Sequence, residues 1–169
     1  MVRKKLTILF IVLGLAALPT ILFWQVTFGG KTLLPVDNLF AFKPWRSFAG
    51  ELNVSVPHNQ LLSDLILENY AWKRFIVESI KARHIPLWNP YLFAGVPFLA
   101  AGQHSALYPF SMLFYVMPIA RAYGYFIVLQ LFLAGLFMYI YVRVIGVSRF
   151  GAIVAAITYM LSAFMIVSV

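Results

Sequence analysis

The chain's five carboxylates, Asp37, Glu51, Asp64, Glu68 and Glu78, all fall in one stretch between long uncharged blocks. Asp37 is followed eight residues later by Trp45, then by Arg46 and Phe48. Asp64 is followed at the same interval by Trp72, then by Lys73 and Phe75. Each unit sets an acid, a flat ring and a cation within about three helical turns. An acid can take a proton and a cation can hold an anion, so two such units could flank a shared cleft. Chance matching in so aromatic a chain gives the same spacing. Each acid also has a structural reading. Asp64, after Ser63, sits at a helix start, where a carboxylate caps backbone N–H groups and complements the dipole. Asp37, between Pro35 and Asn38, suits a turn.

Other chemistries are set aside by residue type. There is no cysteine, which removes disulfides and thiol catalysis. His58, His84 and His104 have no i, i+4 partner and no Glu-x-x-His context, so no histidine metal centre is expected. Downstream, Ile85-Pro86-Leu87-Trp88-Asn89-Pro90-Tyr91 is followed by Phe93-Ala94-Gly95-Val96-Pro97, Gln103 and Tyr108-Pro109. Proline and glycine at this density oppose regular helix and fix a rigid loop. Trp88, Asn89, Tyr91 and Gln103 are candidate sugar or acceptor contacts, because rings stack on a pyranose face while amides bond hydroxyls. An aromatic belt at a membrane interface is the competing reading.

The elements that carry these residues belong to a bilayer protein. Of 169 residues, 63% are hydrophobic and 11% are charged, against about a quarter charged in soluble domains. The low-hydrophobicity signature of disorder is absent. The net charge of +8 is scattered among apolar blocks, which points to membrane flanks and anionic lipid groups and away from nucleic acid. Leu6 to Gly30 is uncharged and exceeds the roughly 20 residues that cross the hydrocarbon core. A cleaved signal peptide is the alternative for this segment, since Arg3, Lys4 and Lys5 precede it. Its length and the lack of a small-x-small site after Phe28 favour retention as an anchor. Spans are expected at about 6–28, 122–143 and 150–169, with a long loop at about 30–104 and a short interrupted helix at about 105–119. Gly146 reads as a helix stop and Ser148 as the next N-cap.

The fold expected is therefore all-α, a polytopic helical membrane protein. Arg3, Lys4 and Lys5, and the pair Arg143 and Arg149, put the N-terminus and the second turn in the cytoplasm by the positive-inside rule. The long loop then lies outside the cell's inner (plasma) membrane. Within it, a helix from about Ser63 to Ala82 gathers Leu62, Leu65, Ile66, Trp72, Ile76, Val77 and Ile80 on one side. Asp64, Glu68, Arg74, Glu78 and Lys81 fall on the other side. Such a helix suits the membrane surface, with Lys73 and Asn69 inside its apolar arc and Lys73 able to snorkel to a headgroup. Transport is disfavoured for these helices because none of the expected spans holds a carboxylate. The apolar ending at Val169 suggests an N-terminal piece of a longer protein whose activity needs further helices.

On these residues the chain resembles the YfhO family of bacterial membrane proteins. The resemblance rests on Leu62-Ser63-Asp64, Trp72-Lys73-Arg74-Phe75, Pro86-Leu87-Trp88-Asn89-Pro90-Tyr91, Phe93-Ala94-Gly95-Val96-Pro97, Gln103 and Tyr108-Pro109. It continues through Leu133-Ala134-Gly135, Tyr139, Arg143, Gly146, Ser148-Arg149 and Ala152. Where the family often carries histidine near the start of the second long span, this chain has Gln130. That family is similar to C-type glycosyltransferases, polytopic enzymes that use polyprenyl-phosphate sugars at the outer membrane face. The resemblance implies a base in the first outer loop: Asp64 matches the family's loop acid, and Asp37 matches an acid just after the first span. It implies cations for the leaving phosphate, for which Lys73, Arg74, Arg46 and His104 are the candidates. It implies as partners a polyprenyl-phosphate-sugar donor, membrane lipids and further C-terminal helices. A divalent ion shared by Asp37 and Asp64 is compatible with these residues but not required. The competing reading is a non-enzymatic membrane protein: an assembly factor, a lipid carrier or a transporter component.

Overall fold

The computed structural model describes residues 2–54 and 59–167, so His58 and the last two positions of the third expected span lie outside the described residues. The chain is mostly helical and divides into two compact units, Met1–Thr32 with Gly124–Val169, and Leu33–Tyr123. Among the described residues, three helical segments have the length and apolar composition to cross a membrane: Lys5–Leu22, Ile119–Val144 and Arg149–Val167, the last interrupted between Met160 and Ala163.

In the first unit, the helix Val2–Leu22 is apolar on all sides and exposes Phe10, Leu13 and Ile21, as a lipid-facing helix does and a soluble one does not. The expected continuous span to residue 28 is broken at Phe23, after which a short helix covers Trp24–Thr27. Threonine hydroxyls add bonds to helix carbonyls around the break. The Thr27 hydroxyl donates to Thr20 O at 3.1 Å and lies 3.2 Å from Phe23 O, and Thr20 Oγ1 donates to Ala16 O at 2.8 Å. Pro19, also inside this helix, has no N–H to give the Leu15 carbonyl one turn before it.

The second long helix begins at Ile119, directly after Pro118, so Arg121 sits in its first turn and not before it. It ends at Val144 with Gly146 at φ +90, Gly146 N–H bonded to Arg143 O and Val147 N–H to Val142 O. This is the paired-bond helix stop that a left-handed residue permits. Ser148 caps the next helix, Arg149–Met160, its Oγ accepting from Gly151 N at 3.2 Å. That helix buries Ala152, Ala156 and Met160 along one stripe. A Cβ at Gly135 would stand 3.0 Å from Met160 Sδ. Small residues on facing helices allow this approach.

The second unit is built from short pieces around one helix. A π-turn at Leu65–Asn69 runs into the α-helix Tyr70–Lys81. Ala82 closes it, and Arg83 takes φ +59, with His84 N–H bonded to Ser79 O. The two acid–ring–cation units do not form matching elements. The first consists of separate 3₁₀ turns, Val36–Ala41 and Trp45–Phe48, with Pro44 between them, since proline blocks a continuous helix. The proline-rich run forms a two-residue antiparallel hairpin, Trp88 opposite Pro97 and Asn89 opposite Val96, followed by a short helix Phe98–Ala101. The interrupted helix consists of a 3₁₀ turn Pro109–Met112 and one α-turn Leu113–Val116. It ends where Met117 is forced extended before Pro118.

Candidate functional site

The helix Tyr70–Lys81 is amphipathic, and the centre of its apolar face is covered by protein while Ile80 stays exposed. Ile76 and Lys73 are buried in it, and it packs against the Leu113–Val116 turn. Lys73 is 4% exposed. Its Nζ donates to His104 O at 2.8 Å and to Ser105 Oγ at 3.1 Å, lies 3.5 Å from Ser111 Oγ, and stands 4.7 Å above the Phe114 ring centroid. Burial lowers the Lys73 pKa to about 8, because a desolvated ammonium is costly. This cation is drawn inward, so the expected snorkelling to a phosphate is not what the geometry gives.

His104 belongs to the same buried cluster. Its Nδ1 accepts from Ala106 N at 3.0 Å, and its Nε2 lies 2.7 Å from Phe98 O. One tautomer, Nε2–H with a free lone pair on Nδ1, satisfies both partners. The ring stacks on Phe98 at 4.1 Å. Phe98 meets Phe75 edge-on, and Phe75 meets Tyr91 edge-on. Four rings therefore connect the lysine cluster to the hairpin.

Tyr91 and Phe75 line a cleft of about 510 Å³ together with Trp72, Arg74, Asn89 and Phe93; Glu68 and Glu78 lie at the same walls. Its size and largely apolar lining, with a few polar groups, are those of a small-molecule site. Asn89 is buried, and its Oδ1 accepts from Tyr91 N at 2.9 Å, which sets the turn that carries Tyr91. Arg74 Nε donates to Glu78 Oε1 at 2.8 Å, leaving the two terminal guanidinium nitrogens open to an anion. Glu78 strengthens Arg74's hold on its proton. The pair is exposed, so its own contribution to stability is small. On its other side lies a second hollow of about 470 Å³, bounded by Tyr70, Lys81, Tyr115 and Ile119.

Of the residues expected from sequence, the cleft brings together Arg74, Asn89 and Tyr91. Asp64 is exposed at the mouth of the helix and does not line the cleft. Asp37 is half-buried in the Val36–Ala41 turn and does not line it either. That turn packs against Leu65–Asn69 and is tied down by buried Asn38, whose Nδ2 donates to Asn59 O at 3.0 Å. Arg46 is exposed on its own turn, Gln103 is exposed, and Trp88 lies against Gly95. Lys73 and His104 serve the buried cluster. Among the described residues, no group of three or more His, Cys, Asp or Glu could hold a metal ion. The sequence reading gave no role to Glu68, Glu78 or Phe93. The two acids could have been found from spacing, since Glu68, Ala71, Arg74 or Phe75, and Glu78 recur at three and four residues, one strip of a helix. No protein-family model, curated protein or solved structure matches the chain.

Proposed function

We propose that this is a membrane glycosyltransferase-like protein that moves a sugar from a polyprenyl-phosphate donor to a cell-envelope acceptor. In this proposal the Leu33–Tyr123 unit faces outward from the plasma membrane. The supporting observation is the gathering of Trp72, Tyr91, Phe93, Asn89 and the Arg74–Glu78 pair around one cleft. Aromatic walls suit a sugar face, and the open end of the guanidinium suits a phosphate. The proposal gives the base role to Glu68, the carboxylate in the cleft wall not held by an arginine, in preference to Asp64 or Asp37. Glu68 takes the acceptor hydroxyl proton, the freed oxygen bonds to the sugar's anomeric carbon, and the carbon–oxygen bond to phosphate breaks. Polyprenyl phosphate leaves with the electron pair, beside Arg74.

One observation favours a second reading. The two aspartates implied by the family resemblance stand outside the cleft, as they would in a non-enzymatic lipid carrier that uses the same walls only to bind. Release of polyprenyl phosphate from a radiolabelled polyprenyl-phosphate hexose, with the protein in liposomes and envelope glycan as acceptor, separates the two. Glu68→Gln is expected to lower kcat by about 100-fold or more with little change in KM, the usual effect of losing a general base. Asp64→Asn is expected to cost less than about tenfold. No turnover by the wild-type protein, assayed together with any further helices its reading frame encodes, supports the carrier, and full turnover by Glu68→Gln in the same protein removes Glu68 from the mechanism.

A further inference from the structure

Between Arg83 and Arg121 the chain has no Lys, Arg, Asp or Glu. The start of this ion-free stretch nevertheless faces outward: Ile85, Leu87 and Trp88 are more than half exposed, Tyr91 is 80% exposed and Phe93 is 97% exposed. These side chains are not loose. The Trp88–Pro97 and Asn89–Val96 pairs close the hairpin. Gly95 N–H bonds to Leu92 O at 2.8 Å, and Gly95, at φ +106, lets the Trp88 indole pack directly beneath it. Phe93 itself is held at φ +52, a conformation that a bulky residue adopts at a cost. A rigid turn therefore presents a ring to the outside, where water makes its exposure unfavourable.

Two features identify what covers it. Lys81 and Arg83, both exposed, precede the apolar tip along the chain, an order that suits a segment next to anionic headgroups. The unit that carries the tip continues at both ends into helices long and apolar enough to cross a membrane, so a lipid surface is always within reach. We propose that the hairpin tip, Trp88 to Phe93 with Ile85 and Leu87, is a membrane-dipping wedge. It seats its rings in the interfacial layer of the bilayer while Lys81 and Arg83 reach the lipid phosphates. Tryptophan and tyrosine favour that layer, and the flexible cations snorkel to it. The wedge does not rest on the sugar-transfer reading; a carrier would use it equally.

The lack of native cysteine makes the test direct. A nitroxide is attached to Phe93→Cys, to Leu87→Cys as a second tip site, and to Glu51→Cys as an exposed reference in the same unit. The whole chain is placed in vesicles of phosphatidylcholine with phosphatidylglycerol. Collision of each nitroxide with dissolved oxygen is compared with collision with an aqueous nickel chelate. The oxygen-to-nickel ratio at residues 93 and 87 is expected to exceed that at residue 51 by about fivefold or more, as for a site below the headgroups. A ratio equal to that at residue 51 places the tip in water and overturns the proposal. Shielding from both probes means that protein covers the tip, a second copy or another chain, and overturns it equally.

Discussion

Raising the pH from about 7.5 to 10 is expected to stabilise the wild-type protein relative to Lys73→Met by about 2–3 kcal/mol. Lys73 is buried and its pKa falls to about 8, from 10.5 for the free side chain. In the folded chain the amine gives up its proton near pH 8, whereas the unfolded chain holds it to about 10.5. Between those values unfolding takes up a proton, so higher pH favours the folded state; below about 8 both states are protonated and the dependence vanishes. Methionine keeps most of the apolar stem and cannot titrate, so the pH dependence of the difference between the two proteins isolates this one group. Thermal unfolding in detergent across the pH range should show the wild-type Tm rising relative to that of Lys73→Met by roughly 5–10 °C. A constant gap would show that Lys73 is not a desolvated amine. Lys73→Ala also deletes the stem and leaves the His104 carbonyl without its Nζ donor. A loss of about 2–4 kcal/mol is expected at neutral pH.

That cluster was only half legible in the sequence. The helix containing Lys73 follows from local periodicity, and the position of Lys73 within the apolar arc follows from the same count. Its partners His104, Ser105 and Ser111 lie 31 to 38 residues downstream, beyond a run of proline and glycine that no periodic pattern describes. Local spacing cannot tell a cation that snorkels to lipid from one that folds onto a distant loop. The stop at Gly146 and the cap at Ser148 were legible because each needs only its own neighbours. The repeated acid–ring–cation spacing misled for a comparable reason: one proline, Pro44, converts the first copy into 3₁₀ turns, and the second copy stays helical. The cleft was legible in Asn89, Tyr91 and Arg74, but its tryptophan is Trp72, and the expected Trp88 stands outside its lining. Its carboxylates were not legible, because Asp64 lies one helical turn before the wall that Glu68 occupies.

The second large effect is expected at the cleft. Trp72→Ala removes a ring that forms part of its wall. A donor that stacks there should bind about 10- to 100-fold more weakly, the usual consequence of losing an aromatic anchor. Arg74→Gln removes the fork that faces a phosphate and leaves Glu78 without its ion pair. A loss of about 30-fold or more in kcat/KM is expected, with Arg74→Lys recovering only part of it, because a point charge does not reproduce bidentate geometry. Folding serves as the control for both. Arg74 is exposed, so Arg74→Gln should leave Tm within about 2 °C of wild type.

In the proposed function, the walls formed by residues 67–78 and 89–93 hold a lipid-linked sugar. A polyprenyl-phosphate hexose carrying a diazirine on the sugar, irradiated with the protein in liposomes and mapped by peptide mass spectrometry, tests it directly. Adducts are expected on the Trp72–Glu78 and Asn89–Phe93 peptides, displaced by unlabelled donor and lost in Trp72→Ala. Labelling confined to the apolar helices, or to the 37–48 turns, with no competition by the unlabelled donor, would contradict it.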